Sequence, residues 1–152
     1  MNYREVKQDL FELNPSEYYF VECISADLAM GAGIATQFNK HFNTKEVILK
    51  KYDKKIFLEL WKDTGGSCIP CGQVFLLITK EKYYNKPTLQ SMHNALGVLK
   101  IWATVMDCKK LAMPKIGCGL DKLKWEDVKE LIFKVFEDTD IDITVCYLGD
   151  ET

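Results

Sequence analysis

The chain has 152 residues, of which 47% are hydrophobic and 28% charged. That is one domain's worth of chain with enough apolar material for a packed core, and it excludes wholesale disorder. Twenty basic against twenty-two acidic residues leave a net charge of -2, which argues against a nucleic-acid binder that works by bulk charge.

The longest glycine-free apolar run, Val74-Phe75-Leu76-Leu77-Ile78, is far short of the roughly 20 residues that a membrane-spanning helix needs. The charged start, Met1 to Lys7, lacks the apolar segment of a signal peptide. A soluble, cytoplasmic or otherwise intracellular protein with no membrane partner is expected. Charge is unevenly spread: residues 121–152 hold ten acids and four lysines, and residues 1–120 hold 16 bases and 12 acids. The acidic end reads as the solvated face of a helix plus a tail, and the positive remainder suits an anionic ligand.

Six cysteines, at 23, 68, 71, 108, 118 and 146, are too sparse for a disulfide scaffold and read as reduced thiols. Cys68-Ile69-Pro70-Cys71 has no second pair or histidine partner nearby, since His41 and His93 are the only histidines. It reads as a loop with incidental thiols rather than a metal site.

In chain order, Tyr3–Lys7 predicts a short strand, and the aromatic and β-branched run Tyr18–Ile24 a second. A glycine loop leads into a helix from about Ile34 to His41, and Thr44 is placed to cap another short helix with Val47 and Ile48 on its apolar side. Thr64-Gly65-Gly66-Ser67 is a turn. Gln73–Thr79 is a strand without alternation, as expected where helices cover both faces.

Thr88 opens a long helix to about Asp107 with Leu89, Met92, Leu96, Leu99, Ala103 and Met106 on one face and Trp102 in the core. Lys110–Met113 is a strand ended by Pro114. Trp125 to Glu137 is a helix that turns Trp125, Val128, Ile132, Val135 and Phe136 inward, and Ile141, Ile143 and Val145 alternate in a final strand. Strands alternating with helices predict an α/β sandwich with a mixed, mostly parallel central sheet. Ligands bind such sheets outside the carboxyl ends of the strands.

Three segments fall there. Cys23 to Ala35 passes from a strand end through Met30-Gly31-Ala32-Gly33 into a helix. Pro114-Lys115-Ile116-Gly117-Cys118-Gly119-Leu120-Asp121 repeats the pattern. Small residues let backbone N–H groups approach an anion, and a helix N-terminus adds partial positive charge, so two such loops can flank a diphosphate. Neither is a Walker loop nor a G-x-G-x-x-G fingerprint. The third segment, Leu77-Ile78-Thr79-Lys80, ends a deeply apolar strand on a lysine. That lysine either emerges into water or, desolvated in a cleft, serves as a nucleophile.

Together these pieces resemble a macrodomain of the terminal ADP-ribose protein glycohydrolase type, the group that also deacylates O-acyl-ADP-ribose. The resemblance is carried by Lys7-Gln8-Asp9-Leu10-Phe11, Cys23-Ile24-Ser25, Met30 to Ala35, Leu77 to Lys80, Lys86-Pro87-Thr88, Met113 to Asp121, Trp125-Glu126 and Thr139 to Val145. It runs from about residue 4 to 148 and implies a single macrodomain, a three-layer α/β/α sandwich. Residues 45 to 73 depart from the family pattern.

The resemblance implies no cofactor and no metal. It assigns Asp9 to the adenine amino group with Leu10 beside it, although an aspartate after a strand also suits a turn or cap. It places Met30, Gly31, Ala32, Gly33 and Ile34 against the distal ribose and phosphates, and wraps Ile116, Gly117, Cys118, Gly119 and Leu120 around the diphosphate. Ser25 would line the ribose pocket, with a local serine turn as the rival; Thr79, Pro114 and Leu148 complete the contact set. Lys80 is implied as the nucleophile on the anomeric carbon and Asp121 as its acid–base partner.

The expected activity is removal of ADP-ribose from carboxylate esters on proteins or from O-acyl-ADP-ribose, by a monomer. Three other readings stand beside it: removal of ADP-ribose from modified DNA bases, an ADP-ribose reader without turnover, and an interaction domain whose glycine loops are only turns. Tyr83 and Tyr84 either stack a base or pack over the pocket, the second being favoured.

Overall fold

A computed structural model describes residues 1–149 of the chain; Asp150 and Glu151 of the expected acidic tail lie outside the described residues. The elements are β1 (Asn2–Lys7), β2 (Tyr19–Ser25), α1 (Ile34–Phe42), α2 (Thr44–Lys51), α3 (Lys55–Thr64), β3 (Ser67–Cys71), β4 (Val74–Lys80), α4 (Leu89–Val105), β5 (Lys110–Met113), α5 (Trp125–Phe136) and β6 (Asp142–Tyr147). The strands form one sheet in the order β1-β6-β5-β2-β4-β3, parallel throughout except for β3 against β4. Helices cover both faces, giving the α/β/α sandwich that the alternation predicts.

β4 shows why its sequence does not alternate. Phe75 and Leu77 join the core under α4 and α5, while Val74, Leu76 and Ile78 join the core under α1, α2 and α3. Both faces are dry, so every position is apolar. α4 starts where Thr88 predicts it: the Thr88 hydroxyl accepts from Ser91 N–H (2.9 Å), and Ser91 Oγ accepts from Thr88 N–H (3.0 Å), a reciprocal cap. Met92, Ala95, Leu96, Leu99 and Ala103 are its buried stripe. Leu89, expected on that stripe, is exposed in the first turn.

Three expectations are corrected. The Cys68–Cys71 segment is not a loop but the antiparallel edge strand β3. Pro70 is compatible with an edge, where a missing N–H leaves no ladder partner unsatisfied on the open side. Period-two alternation sends Cys68 into one core and Cys71 into the other, so the pair faces apart. Thr44 does not cap α2; Asn43 does, with φ at 53°, and Thr44 is a buried first-turn residue whose hydroxyl donates to Phe38 O (3.1 Å). Helix α3 was not anticipated. On α5, Glu126, Asp127, Glu130 and Glu137 are exposed, the solvated acidic face that the charge distribution predicts. No helix among the described residues is long and apolar enough to cross a membrane.

One core residue breaks the apolar pattern. Glu22, on β2, is 0% exposed, and neither carboxyl oxygen has a hydrogen-bond partner among the described residues. Burial pushes its carboxyl from 4.5 up to about 9, so it is protonated in the folded protein at neutral pH. With the folded value above the unfolded one, stability is full below about pH 4.5 and declines toward pH 9 by ~1.4 kcal/mol per unit. Glu22→Gln, neutral in both states, is expected to flatten the pH dependence of urea unfolding between pH 5 and 8. The gain at pH 7 is on the order of 3 kcal/mol.

Candidate active site

The cleft begins where two strands part. β2 and β5 pair only at Tyr19–Leu111 and Phe20–Ala112, yet β2 runs on to Ser25, paired with β4. β5 stops at Met113 because Pro114 has no N–H to donate. The loops leaving β2, β4 and β5 therefore meet at adjacent strand ends, the position that parallel sheets reserve for ligands.

The central contact is between Lys80 and Asp121. Lys80 Nζ lies 2.6 Å from Asp121 Oδ1, with side chains 14% and 15% exposed. The lysine does not emerge into bulk water; it ends β4 against the carboxylate that follows the second glycine loop. The Cys23 thiol sits within the electrostatic influence of Glu22, Cys118 and both catalytic candidates. Burial, then Asp121, Glu22 and Cys118, push it up, with Lys80 opposing. Cys118 is raised to about 11 by burial, with Lys115 opposing and Asp121 adding. Neither thiol supplies a thiolate at neutral pH.

The two glycine loops touch. A Cβ on Gly33 would lie 3.1 Å from Leu120 Cδ1, and Gly33 has φ at +60°. Gly33 precedes α1 with no side-chain cap, and no acidic residue stands in the first turn, so the positive end of the helix is free to face an anion. Gly31, Ala32, Gly33 and Ile34 are exposed along this loop. Gly117 is buried with φ at +75°, and a Cβ there would meet Met92 Cε at 2.8 Å. Pro114 and Cys118 are half-buried, with Cys118 Sγ donating to Ile116 O (3.4 Å), and Gly119 and Leu120 are exposed. Leu148, just past β6, is exposed as well.

Other expected contact residues sit deeper. Met30, Thr79 and Ile116 are buried, and the Thr79 carbonyl accepts from Ser91 Oγ (2.7 Å). Met30 joins the core under α1, α2 and α3, and Ile116 the core under α4 and α5. Ser25 is buried and donates its hydroxyl to the Asp27 carboxylate. Asp9 caps a short 3-10 turn: its Oδ1 accepts from Phe11 N–H (3.0 Å). Its second oxygen has no hydrogen bond among the described residues. Leu10 is buried beside it, and the Phe11 ring stacks on His41 at 4.3 Å.

Asp27 was given no role from sequence. Its carboxylate accepts from Ser25 Oγ and Ala29 N–H (3.2 Å) through Oδ1, and from Tyr83 N–H (3.0 Å) through Oδ2. It thus ties the loop after β2 to the segment after Lys80. Burial pushes its carboxyl up, but the three hydrogen bonds and the Lys82 charge outweigh burial and hold it below the usual range. Lys86 makes a second tie, donating to Leu120 O (2.7 Å). The Ser25-Ala26-Asp27 spacing, a hydroxyl two residues before a carboxylate at a strand end, is the signal that would have found Asp27. Tyr83 and Tyr84 are both exposed. Among the described residues no His/Cys/Asp/Glu cluster has the makings of a metal site.

No family model matches the chain. It is 40% identical over 140 residues to the ADP-ribose glycohydrolase OARD1 of Bos taurus, covering 92% of this chain and 88% of that one. Among solved structures it is similar to the macrodomain of Thermus aquaticus DarG, with a TM-score of 0.70 at 20% identity over 95% and 97% of the two chains. It is also similar to Thermosipho africanus DarTG in complex with ADP-ribose, with a TM-score of 0.74 at 19% identity over 100% of this chain and 43% of that one. A sheet open between β2 and β5, two glycine loops in contact and a sequence match across nearly the whole domain agree: the chain belongs to the macrodomain family of ADP-ribose glycohydrolases.

Proposed function

We propose that this protein binds ADP-ribose across its two glycine loops and removes it from carboxylate esters, on glutamate or aspartate side chains of proteins and in O-acyl-ADP-ribose. The observation that carries the reading is the half-hidden Lys80–Asp121 contact at 2.6 Å, at the strand end where the two loops meet. The diphosphate lies between the uncapped start of α1 and the loop 116–120, held by backbone N–H groups. The adenine lies toward Asp9, whose second oxygen accepts the amino group while the first keeps its cap.

In this reading the Lys80 amine, its proton passed to Asp121, attacks the anomeric carbon of the distal ribose. The bond from that carbon to the ester oxygen breaks, and its electron pair leaves with the carboxylate. A carboxylate is a good enough leaving group for one amine to displace it. The resulting ribosyl-lysine is released by water, with Asp121 handling the proton, a role worth ~10²–10⁴-fold. The similarity to OARD1 supports glycohydrolase chemistry; the Lys80–Asp121 contact supports the lysine nucleophile, and the ester substrates rest on the family resemblance of the sequence.

Two experiments test the reading. With a glutamate-ADP-ribosylated protein as substrate, Lys80→Ala is expected to lower release of ADP-ribose by at least ~10²-fold while calorimetry still records ADP-ribose binding. Equal release by wild type and variant excludes the lysine mechanism. Gly33→Ala places a side chain at φ +60° and against Leu120, so it is expected to weaken ADP-ribose binding by about tenfold or more. Because Gly33 is exposed, its thermal midpoint should fall by no more than a few degrees. Unchanged affinity would remove the first loop from the binding site.

A further inference from the structure

Just past Lys80 the chain displays two aromatic rings. Residues 82–85 form a tight turn, with Asn85 N–H donating to Lys82 O (3.0 Å) and Lys82 N–H to Asn85 Oδ1 (2.9 Å). On it Tyr83 and Tyr84 are 65% and 67% exposed, their rings meeting edge to face at 5.3 Å. The turn is anchored to both cleft loops, through Tyr83 N–H on Asp27 and Lys86 on Leu120 O. The rings are thus held on a fixed support yet left in water, where each forgoes the burial of its large apolar body. Ile34 and Leu120, on the two glycine loops, are exposed as well. Exposed large apolar side chains beside a binding site mark a contact surface.

The chemistry of the rim selects a partner. Lys80 is paired with Asp121, Lys86 donates to Leu120 O and Lys82 lies near the Asp27 carboxylate, so these three lysines are not a free track for a phosphate backbone. Tyrosines with an apolar body and a hydroxyl tip are frequent anchors at protein interfaces. Tyr83 stands three residues from the reacting lysine, at most roughly 10 Å of chain, within reach of peptide flanking a modified side chain.

We infer that Tyr83 and Tyr84 are the acceptor-side contact of this enzyme, packing against the polypeptide that carries the ADP-ribosylated carboxylate and setting a preference for protein over small acyl substrates. This rests on the proposed ester chemistry and adds which part of the acceptor is read.

The test compares wild type with the Tyr83→Ala/Tyr84→Ala double variant on a glutamate-ADP-ribosylated protein and on O-acetyl-ADP-ribose. On the protein, kcat/KM is expected to fall about tenfold or more, mainly through KM. O-acetyl-ADP-ribose turnover and the thermal midpoint should be unchanged, and the Tyr83→Phe/Tyr84→Phe variant should keep most of the protein activity. Unchanged rates on both substrates, or a parallel loss on both, overturn the inference. A loss confined to ADP-ribosylated single-stranded DNA overturns it in favour of base stacking. A wild type that turns over neither ester removes the ester chemistry and this assignment with it, an outcome distinct from active enzyme indifferent to the tyrosines.

Discussion

Everything at the cleft follows from the parting of β2 and β5. Two residue pairs join these strands; beyond them the ladder stops, and the space that a longer β5 would fill is handed to the loop that begins at Pro114. Lys80 and Asp121 bridge the ends of β4 and of that loop across the opening. A mostly buried ion pair of this kind is weak evidence for stability, because desolvation offsets much of the attraction. Its worth here is positional: it fixes one amine against one carboxylate at the mouth of the sheet.

Hydrogen bonds tie the loops around that pair together. Asp27 collects two backbone N–H groups and a hydroxyl, and Lys86 spends its ammonium on a carbonyl. Such contacts fix backbone direction and let the flanking residues stay small or exposed. Gly33 and Gly117 then supply the conformations, at φ +60° and +75°, that a side chain would resist. The cleft is pre-shaped by its backbone, which suits a ligand recognised through phosphates.

Much of this was legible in the sequence. β4 announced its burial by an unbroken apolar run, α4 by its three-and-four spacing and Thr88, and the two glycine loops by their place after strands. β3 was hidden because Pro70 and the paired cysteines read as a loop; the physical reason it is a strand is that its outer edge has no partner to disappoint. α3 was missed although Asp53 marks its start: the Asp53 carboxylate accepts from Lys55 N–H (3.0 Å) at the helix opening. Motif resemblance assigns a residue to a site but not the direction of its side chain: Met30 and Thr79 are buried, and the Ser25 hydroxyl donates to Asp27. The local Ser25-Ala26-Asp27 spacing could have marked Asp27, but its link to Tyr83 joins segments far apart in sequence and needed the fold.

The outer seam of the sheet has its own consequence. β1, at the very start of the chain, lies in parallel register with β6 from Asn2↔Asp142 to Lys7↔Tyr147, and the Met1 ammonium donates to Thr139 O. Within this sheet β1 precedes every other strand in chain order and β6 follows them all, so β1 has no neighbour to zip against until β6 is present. Closure of such a sheet is a late, long-range event, and assembly of the catalytic face, built on strands in between, need not wait for it.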